Sequence, residues 1–152
     1  TLEMESVQIK GVDSSIRKTT ATLSSGATLV IAEKIMTHGD QYAETDFKVD
    51  LNGANSSVHV VSRAVAKDNS VQKFYSVIEG NNACSGRTEC DAIVMDNAKV
   101  LALPGLNANH IDASLIHEAA IGKIAGEQLI KLMTLGLSEQ EAEEEIVNGF
   151  LK

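Results

Sequence analysis

Turn-forming clusters divide the first two-thirds of the chain at near-regular intervals, and that spacing constrains the fold more than any other feature. "SSG" at 24–26, "HGD" at 38–40, "NGAN" at 52–55, "KDN" at 67–69, "GNN" at 80–82 and "DN" at 96–97 follow one another along the sequence. Between them lie stretches rich in β-branched residues, and several alternate cleanly. Phe47, Val49 and Leu51 point one way while Lys48 and Asp50 point the other, a period of two. "SVHVVSRAVA" and "VQKFYSVI" behave in the same way. Short strands at even spacing with turn residues between them describe an all-β body. Sandwich, barrel and β-solenoid all satisfy that pattern. Asn52-Gly53 taken alone suggests a tight hairpin, whereas the near-regular strand period without helical crossovers equally suits a parallel β-helix.

A chain of 152 residues is one domain with enough length to bury a core. Aromatics make up 3% and Trp is absent, so Val, Ile, Leu and Ala must fill that core. The formal net charge is -8 and no Lys/Arg cluster relieves it, which argues against a nucleic-acid partner. No apolar run approaches the roughly 20 residues of a membrane helix, and the N-terminus has no signal-peptide pattern. Because the chain begins at Thr1, it is read as a processed product or a fragment. Two cysteines are too few for a secreted disulfide framework, and a reducing cytoplasm is the expected location.

The last third changes character. Ile111 to Ile116 is apolar and strand-like, whereas from Gly126 onward the apolar residues fall at helical spacing. His117 and Glu118 sit at the expected changeover, which divides the chain into a β segment over 1–116 and a helical segment over 117–152. Leu129, Leu132 and Met133 mark one helix face, and Gly136 is placed to stop it. Ser138 and Glu141 form a capping-box pattern that opens a second helix. Glu139, Glu141 and Glu143 suit its positive N-terminal dipole, and Ala142, Ile146 and Phe150 supply its apolar stripe. Two helices with a short link predict a helical hairpin.

Most familiar catalytic motifs fail here. "HEAAI" has Ile121 where a zinc-protease helix needs its second His. "IGKI" has Ile124 after Lys123 and no glycine at the required upstream position, so it is not a phosphate-binding loop. No G-x-S-x-G elbow is present. Cys84 and Cys90 have five residues between them, which is not a usual zinc spacing. Cys84 lies in soft company and reads as structural. Cys90 stands among Arg87, Glu89 and Asp91, where a sulfur can be exposed and its thiolate can bind a soft metal or accept sulfur. His38, His59 and His110 have no partner in sequence and read as turn, strand and loop residues. Cys90 with His117 and Glu118 makes a thiolate, an imidazole and a carboxylate, a mixed set that suits iron.

"GRTECDAIVMD" followed by "HEAAIGKIAGEQLIKLMTLGLSEQEAEEEIVNGF" resembles the C-terminal half of the SufB/SufD scaffold proteins of iron–sulfur cluster assembly. The resemblance is clear from about Gly86 to Phe150 and more diffuse over the strands before it. It implies a right-handed parallel β-helix followed by a small α-helical hairpin. It also implies dimers, either with a second copy or with a SufB/SufD paralogue, and an ABC-type ATPase, SufC, docking on the C-terminal helices. By position, Cys90 resembles the SufB cysteine that receives sulfur, and Glu118 the carboxylate beside it. His117 occupies the place of the histidine that matters on the SufD side. The cluster, in this reading, is held transiently by Cys90, His117 and Glu118. "HEAA" in place of the Gly-containing SufD pattern leans the chain toward SufB. The family norm is longer at both ends, which implies that an N-terminal domain, part of the β-helix and further helix lie outside this sequence.

Three functional readings follow. The first is an assembly scaffold rather than an enzyme, using Cys90, His117 and Glu118. The second is a non-catalytic SufD-like subunit that only dimerises and docks the ATPase. The third is a carbohydrate-active β-helix enzyme, which the scarcity of aromatic sugar platforms argues against.

Overall fold

The structure, a computed structural model, describes residues 1–9 and 11–152. Nine strands among them alternate between two sheets: β1 (Leu2–Gln8), β2 (Ser14–Leu23), β3 (Thr28–Thr37), β4 (Tyr42–Leu51), β5 (Ser57–Ala66), β6 (Val71–Gly80), β7 (Cys84–Val94), β8 (Lys99–Ala108) and β9 (Ala113–Gly122). Odd-numbered strands form one sheet in chain order and even-numbered strands the other. Every pairing is parallel, with Leu29 opposite Val58 and Val58 opposite Gly86. The chain therefore winds as a β-solenoid of about four turns, two strands to each turn. This settles the choice that strand spacing alone left open.

The corners explain why turn residues recur as they do. At one corner Gly39, Asp68 and Asp96 stack in successive turns, all with left-handed backbone (φ +59°, +59° and +55°). Asp is among the few residues besides Gly that tolerate this region. Each carboxylate also accepts from the backbone one turn away: Asp68 Oδ2 from the Gly39 N–H at 2.7 Å, Asp96 Oδ2 from the Asp68 N–H at 3.1 Å. Along the opposite corner an asparagine ladder runs from Asn52 to Asn81 to Asn109, each amide donating to the turn before at 2.8 Å. Asn52-Gly53 is thus not a hairpin. Both N–H groups donate to Leu23 O, at 3.1 and 3.0 Å, and the chain crosses there to the other sheet.

Alternation along each strand sorts residues between the interior and the outer faces. Leu29, Ile31, Phe47, Val49, Leu51, Val58, Val60, Phe74 and Ile78 form the apolar interior, with Phe47 and Phe74 meeting edge to face at 5.9 Å. A second part of the interior is polar. Glu33, Thr45, Ser62, Gln72 and Thr88 are all buried, and Arg17 reaches Glu33 at 2.5 Å. Thr45 and Ser62 donate their hydroxyls to the same carboxylate at 2.8 and 2.9 Å. The side-chain donors around Glu33 offset the desolvation of a buried charge.

β9 continues to Gly122, past the changeover expected at residue 116. Helix propensity favours helix in "HEAA", but pairing of the whole segment with β7 overrides so weak a preference. His117 and Glu118 accordingly lie mid-strand. The helices are α1 (Gly126–Met133) and α2 (Glu139–Phe150). Gly136 adopts φ +100° just after α1, and the Ser138–Glu141 capping box forms as expected. The buried residues of α2 are Ala142 and Val147, not the full Ala142–Ile146–Phe150 stripe. Ile146 instead faces Leu132 and Leu135 across a groove between the helices. Arg63 donates to the Phe150 carbonyl at 3.4 Å, tying the end of α2 to the outer face of β5. Among the described residues no helix is long and apolar enough to cross a membrane.

Candidate functional site

Cys90, His117 and Glu118 lie on the neighbouring strands β7 and β9, and strand pleating divides them. Cys90 stands opposite Ala119, and His117 opposite Thr88. Thr88 and Cys90 are interior residues, at 0% and 1% exposure, so His117 also points inward. Cys90 and His117 are diagonal neighbours on one wall, roughly 8 Å apart by strand spacing and rise. The His117 Nδ1 atom is buried without a hydrogen-bond partner among the described residues. Glu118, next in sequence, must face outward. The three residues therefore share a place along the solenoid but not a surface, contrary to the expectation that they line one. Among the described residues, no group of three or more His, Cys, Asp or Glu side chains is placed to hold a metal ion.

Cys90 lines a gap of about 10 Å3 with Glu33, Thr45, Ser62 and Gln72, about the size of one water. Burial above all, then the carboxylates of Asp91 and Glu33, pushes its thiol up to about 11. At neutral pH the sulfur is a protonated thiol, and a metal or sulfur donor must displace that proton. The folded state binds the proton more tightly than the unfolded chain, where a cysteine thiol titrates at its ordinary 9.0. The resulting stabilisation is complete below about pH 9 and is lost as pH rises through 11, amounting to about 3 kcal/mol. Denaturant midpoints at pH 8 and pH 10.5 should fall further for the native chain than for Cys90→Ser. Equal falls would mean that the thiol titrates normally.

The outer face carries a charged network that sequence reading did not single out. Arg87 Nε donates to Glu89 Oε1 at 2.5 Å and Arg87 Nη2 to Glu118 Oε2 at 2.6 Å. His59 Nε2 lies 3.0 Å from Glu89 Oε1. His59 and then Arg87 hold Glu89 below the usual carboxylate range, and Glu89 followed by Glu118 holds Arg87 above its own. The winding period reveals this set. Glu118 pairs in register with Glu89, and Arg87 with His59, at separations of 29 and 28 residues. Once that offset is known, four residues scattered in sequence become neighbours. Cys84 is buried in the apolar core, as its neighbours suggested. His38 lies at a corner, and His110 Nδ1 accepts from the Asp112 N–H at 3.1 Å within the β8–β9 connection.

Fold and site together define a two-sheet parallel β-solenoid with a helical pair at its C-terminal end and its ionisable candidates in the final turns. The core-domain model of SufBD, from the SUF system of iron–sulfur cluster assembly, matches residues 1–150. The chain belongs to the SufB/SufD family. It is 39% identical over 118 residues to an iron–sulfur cluster assembly SufBD family protein of Methanothermobacter thermautotrophicus, covering 74% of this chain and 28% of that protein. A SufBD family protein of Methanocaldococcus jannaschii is 42% identical over 104 residues, covering 68% and 33% respectively. The iron–sulfur cluster assembly protein SufB of Bacillus subtilis is 33% identical over 131 residues, covering 84% and 28%. The chain thus spans about a third of the length of these relatives.

Proposed function

We propose that this chain is the core-domain portion of a scaffold subunit on which iron–sulfur clusters are assembled, in the cytoplasm and with an ABC-type ATPase as partner. The observation that carries the reading is the shared inner wall of Cys90 and His117 beside an unpaired strand edge. Lys99 donates to Ser70 O and Asn109 to Gly80 O, so the odd-numbered peptides of β8 serve β6. The even-numbered ones face outward, and Pro104 among them has no N–H to offer. In β7 the Ser85 N–H, and just past its end the Met95 N–H, donate to the β5 side, to Ser56 O and Ala66 O. The parallel register then leaves Leu115, His117, Ala119 and Ile121 facing the open edge of β9. An unpaired edge of this kind invites a second subunit. A copy of this chain or a SufB/SufD paralogue pairing there meets His117 at the centre of the edge.

Within this reading Cys90 supplies a thiolate after losing its proton, and His117 supplies its orphaned Nδ1. Glu118 supplies a carboxylate from the outer side, so a complete ligand set needs groups from both sides of the strand or from a second chain. The cluster is cargo, held by a site that one chain leaves open. The groove between α1 and α2, about 570 Å3 and lined by Leu132, Leu135 and Ile146 with Lys131 and Glu145, is an apolar seat suited to the ATPase. The burial of Cys90 favours a second reading, a SufD-like subunit that dimerises and docks the ATPase without holding a cluster. Anaerobic reconstitution of the full-length protein with iron and sulfide separates the two. Under the scaffold reading, Cys90→Ser and Glu118→Ala each lower cluster yield by roughly tenfold, a scale set by loss of one ligand or of its supporting contact. Wild-type yield and absorption in both variants would leave only the structural role.

A further inference from the structure

The helical pair is joined to the solenoid lightly. Residues 123–125, between β9 and α1, belong to neither strand nor helix. α1 buries none of its residues, and α2 only Ala142 and Val147. Ile93, Ile121, Ile146 and Phe150 line an open cleft of about 500 Å3 between the strand ends and α2. The helices therefore rest beside the strands without filling the space beneath them. Among the described residues, the bond from Arg63 Nη1 to Phe150 O is the one hydrogen bond between the two parts, and no ion pair joins them.

That bond falls where α2 needs it. The Val147 carbonyl accepts from the Leu151 N–H, but the last carbonyls of a helix otherwise lack partners and form the negative end of its dipole. α2 has no basic residue in its own last turn, so Arg63 supplies the cation from β5. A second acceptor lies close by. Asp91 stands in register with Arg63 on the neighbouring strand β7, about 5 Å away by strand spacing. No ion pair forms between them among the described residues. Lys34, on the other flank of Arg63, is engaged by Glu5 at 3.2 Å. We propose that Arg63 is a latch with two positions. On the C-terminus of α2 it holds the helical pair against the solenoid; on Asp91 it lets the pair swing about residues 123–125. The guanidinium keeps a charge-assisted partner in both positions, which makes the element bistable, and anything that favours one position shifts the balance. The groove lined by Leu132, Leu135 and Ile146 belongs to the moving unit, so whatever seats there is carried with it.

Spin labels carried on unnatural amino acids at Lys48 and Glu144, both exposed, report the distance between solenoid and α2 in the full-length protein. The native protein should show one main distance and a minor displaced fraction. Arg63→Met should raise that fraction about fivefold, the scale of one cation at a helix terminus, with helix content by circular dichroism unchanged. Arg63→Lys should fall between. Asp91→Asn should lower the displaced fraction, because it removes the second position, and should change nothing when added to Arg63→Met. A merely structural contact would not give these opposite signs. A native distance distribution in Arg63→Met would overturn the latch, and so would broadening that comes with loss of helix content, since Arg63 would then only cap α2. If Arg63→Met does not fold, Asp91→Asn decides: an unchanged or enlarged displaced fraction there sinks the proposal.

Discussion

Replacing Gly53 with alanine should lower the stability of the solenoid by about 3 kcal/mol and its melting temperature by roughly 10 °C. The reason is contact and not backbone freedom, because Gly53 lacks a positive φ. A Cβ on Gly53 runs into the main chain of Ser24 and Ser25 in the preceding turn, lying 2.5 Å from Ser25 Cα with still closer approaches to Ser25 N and Ser24 C. No rotamer change can relieve a collision with backbone, so two turns must move apart. That separation weakens the Asn52 and Gly53 N–H donations to Leu23 O, at 3.1 and 3.0 Å. Gly26→Ala makes a useful contrast, because its Cβ meets nothing within 4 Å and only its φ of +69° is unfavourable. The Gly26 change should cost about 1 kcal/mol. Thermal melts of the two variants showing equal losses would mean that close approach at Gly53 is not what the fold requires.

The second large effect is expected at Glu33. Its side chain is fully buried and paired with Arg17, whose own side chain remains 32% exposed. Removing the carboxylate by Glu33→Ala strands a guanidinium beside the Thr45 and Ser62 hydroxyls. Breaking one side of a buried ion pair costs about 3 kcal/mol or more, and the partial exposure of Arg17 places this case at the lower end. Adding Arg17→Met should recover part of the loss, since the stranded charge is then gone. Urea midpoints supply the measurement. A loss below about 1 kcal/mol for Glu33→Ala, or a double variant no better than the single one, would show that the pair is not a coupled unit.

These two positions also show what could be read from sequence and what could not. The strand period was visible because turn residues are dictated locally: a left-handed corner needs Gly, Asn or Asp whatever lies around it. The capping box at Ser138 was visible for the same reason. The parallel winding followed from resemblance, since alternation alone cannot distinguish a hairpin from a crossing to the opposite sheet. Glu33 went unnoticed because a lone Glu in an apolar strand gives no local sign of Arg17, which meets it only through the coil. The end of β9 was misplaced because His-Glu-Ala-Ala carries helix-forming composition, whereas its state is decided by hydrogen bonds to β7. With the strand ended too early, His117 and Glu118 looked like a pair. The rule that neighbours in a strand face opposite ways would have separated them, and the winding offset would have placed Arg87 beside Glu118.

That separation makes β9 a wall one residue thick. On its inner side His117 stands beside Thr88 and diagonal to Cys90; on its outer side Glu118 meets solvent and Arg87. The two are joined by a single peptide bond, so a twist of the strand that draws one side chain outward must turn its neighbour as well. Docking on the exposed surface can therefore be felt inside without any opening through which a molecule passes. In such an arrangement the strand serves as a crank between two compartments of different dielectric, and its throw is set by how firmly the outer carboxylate is gripped.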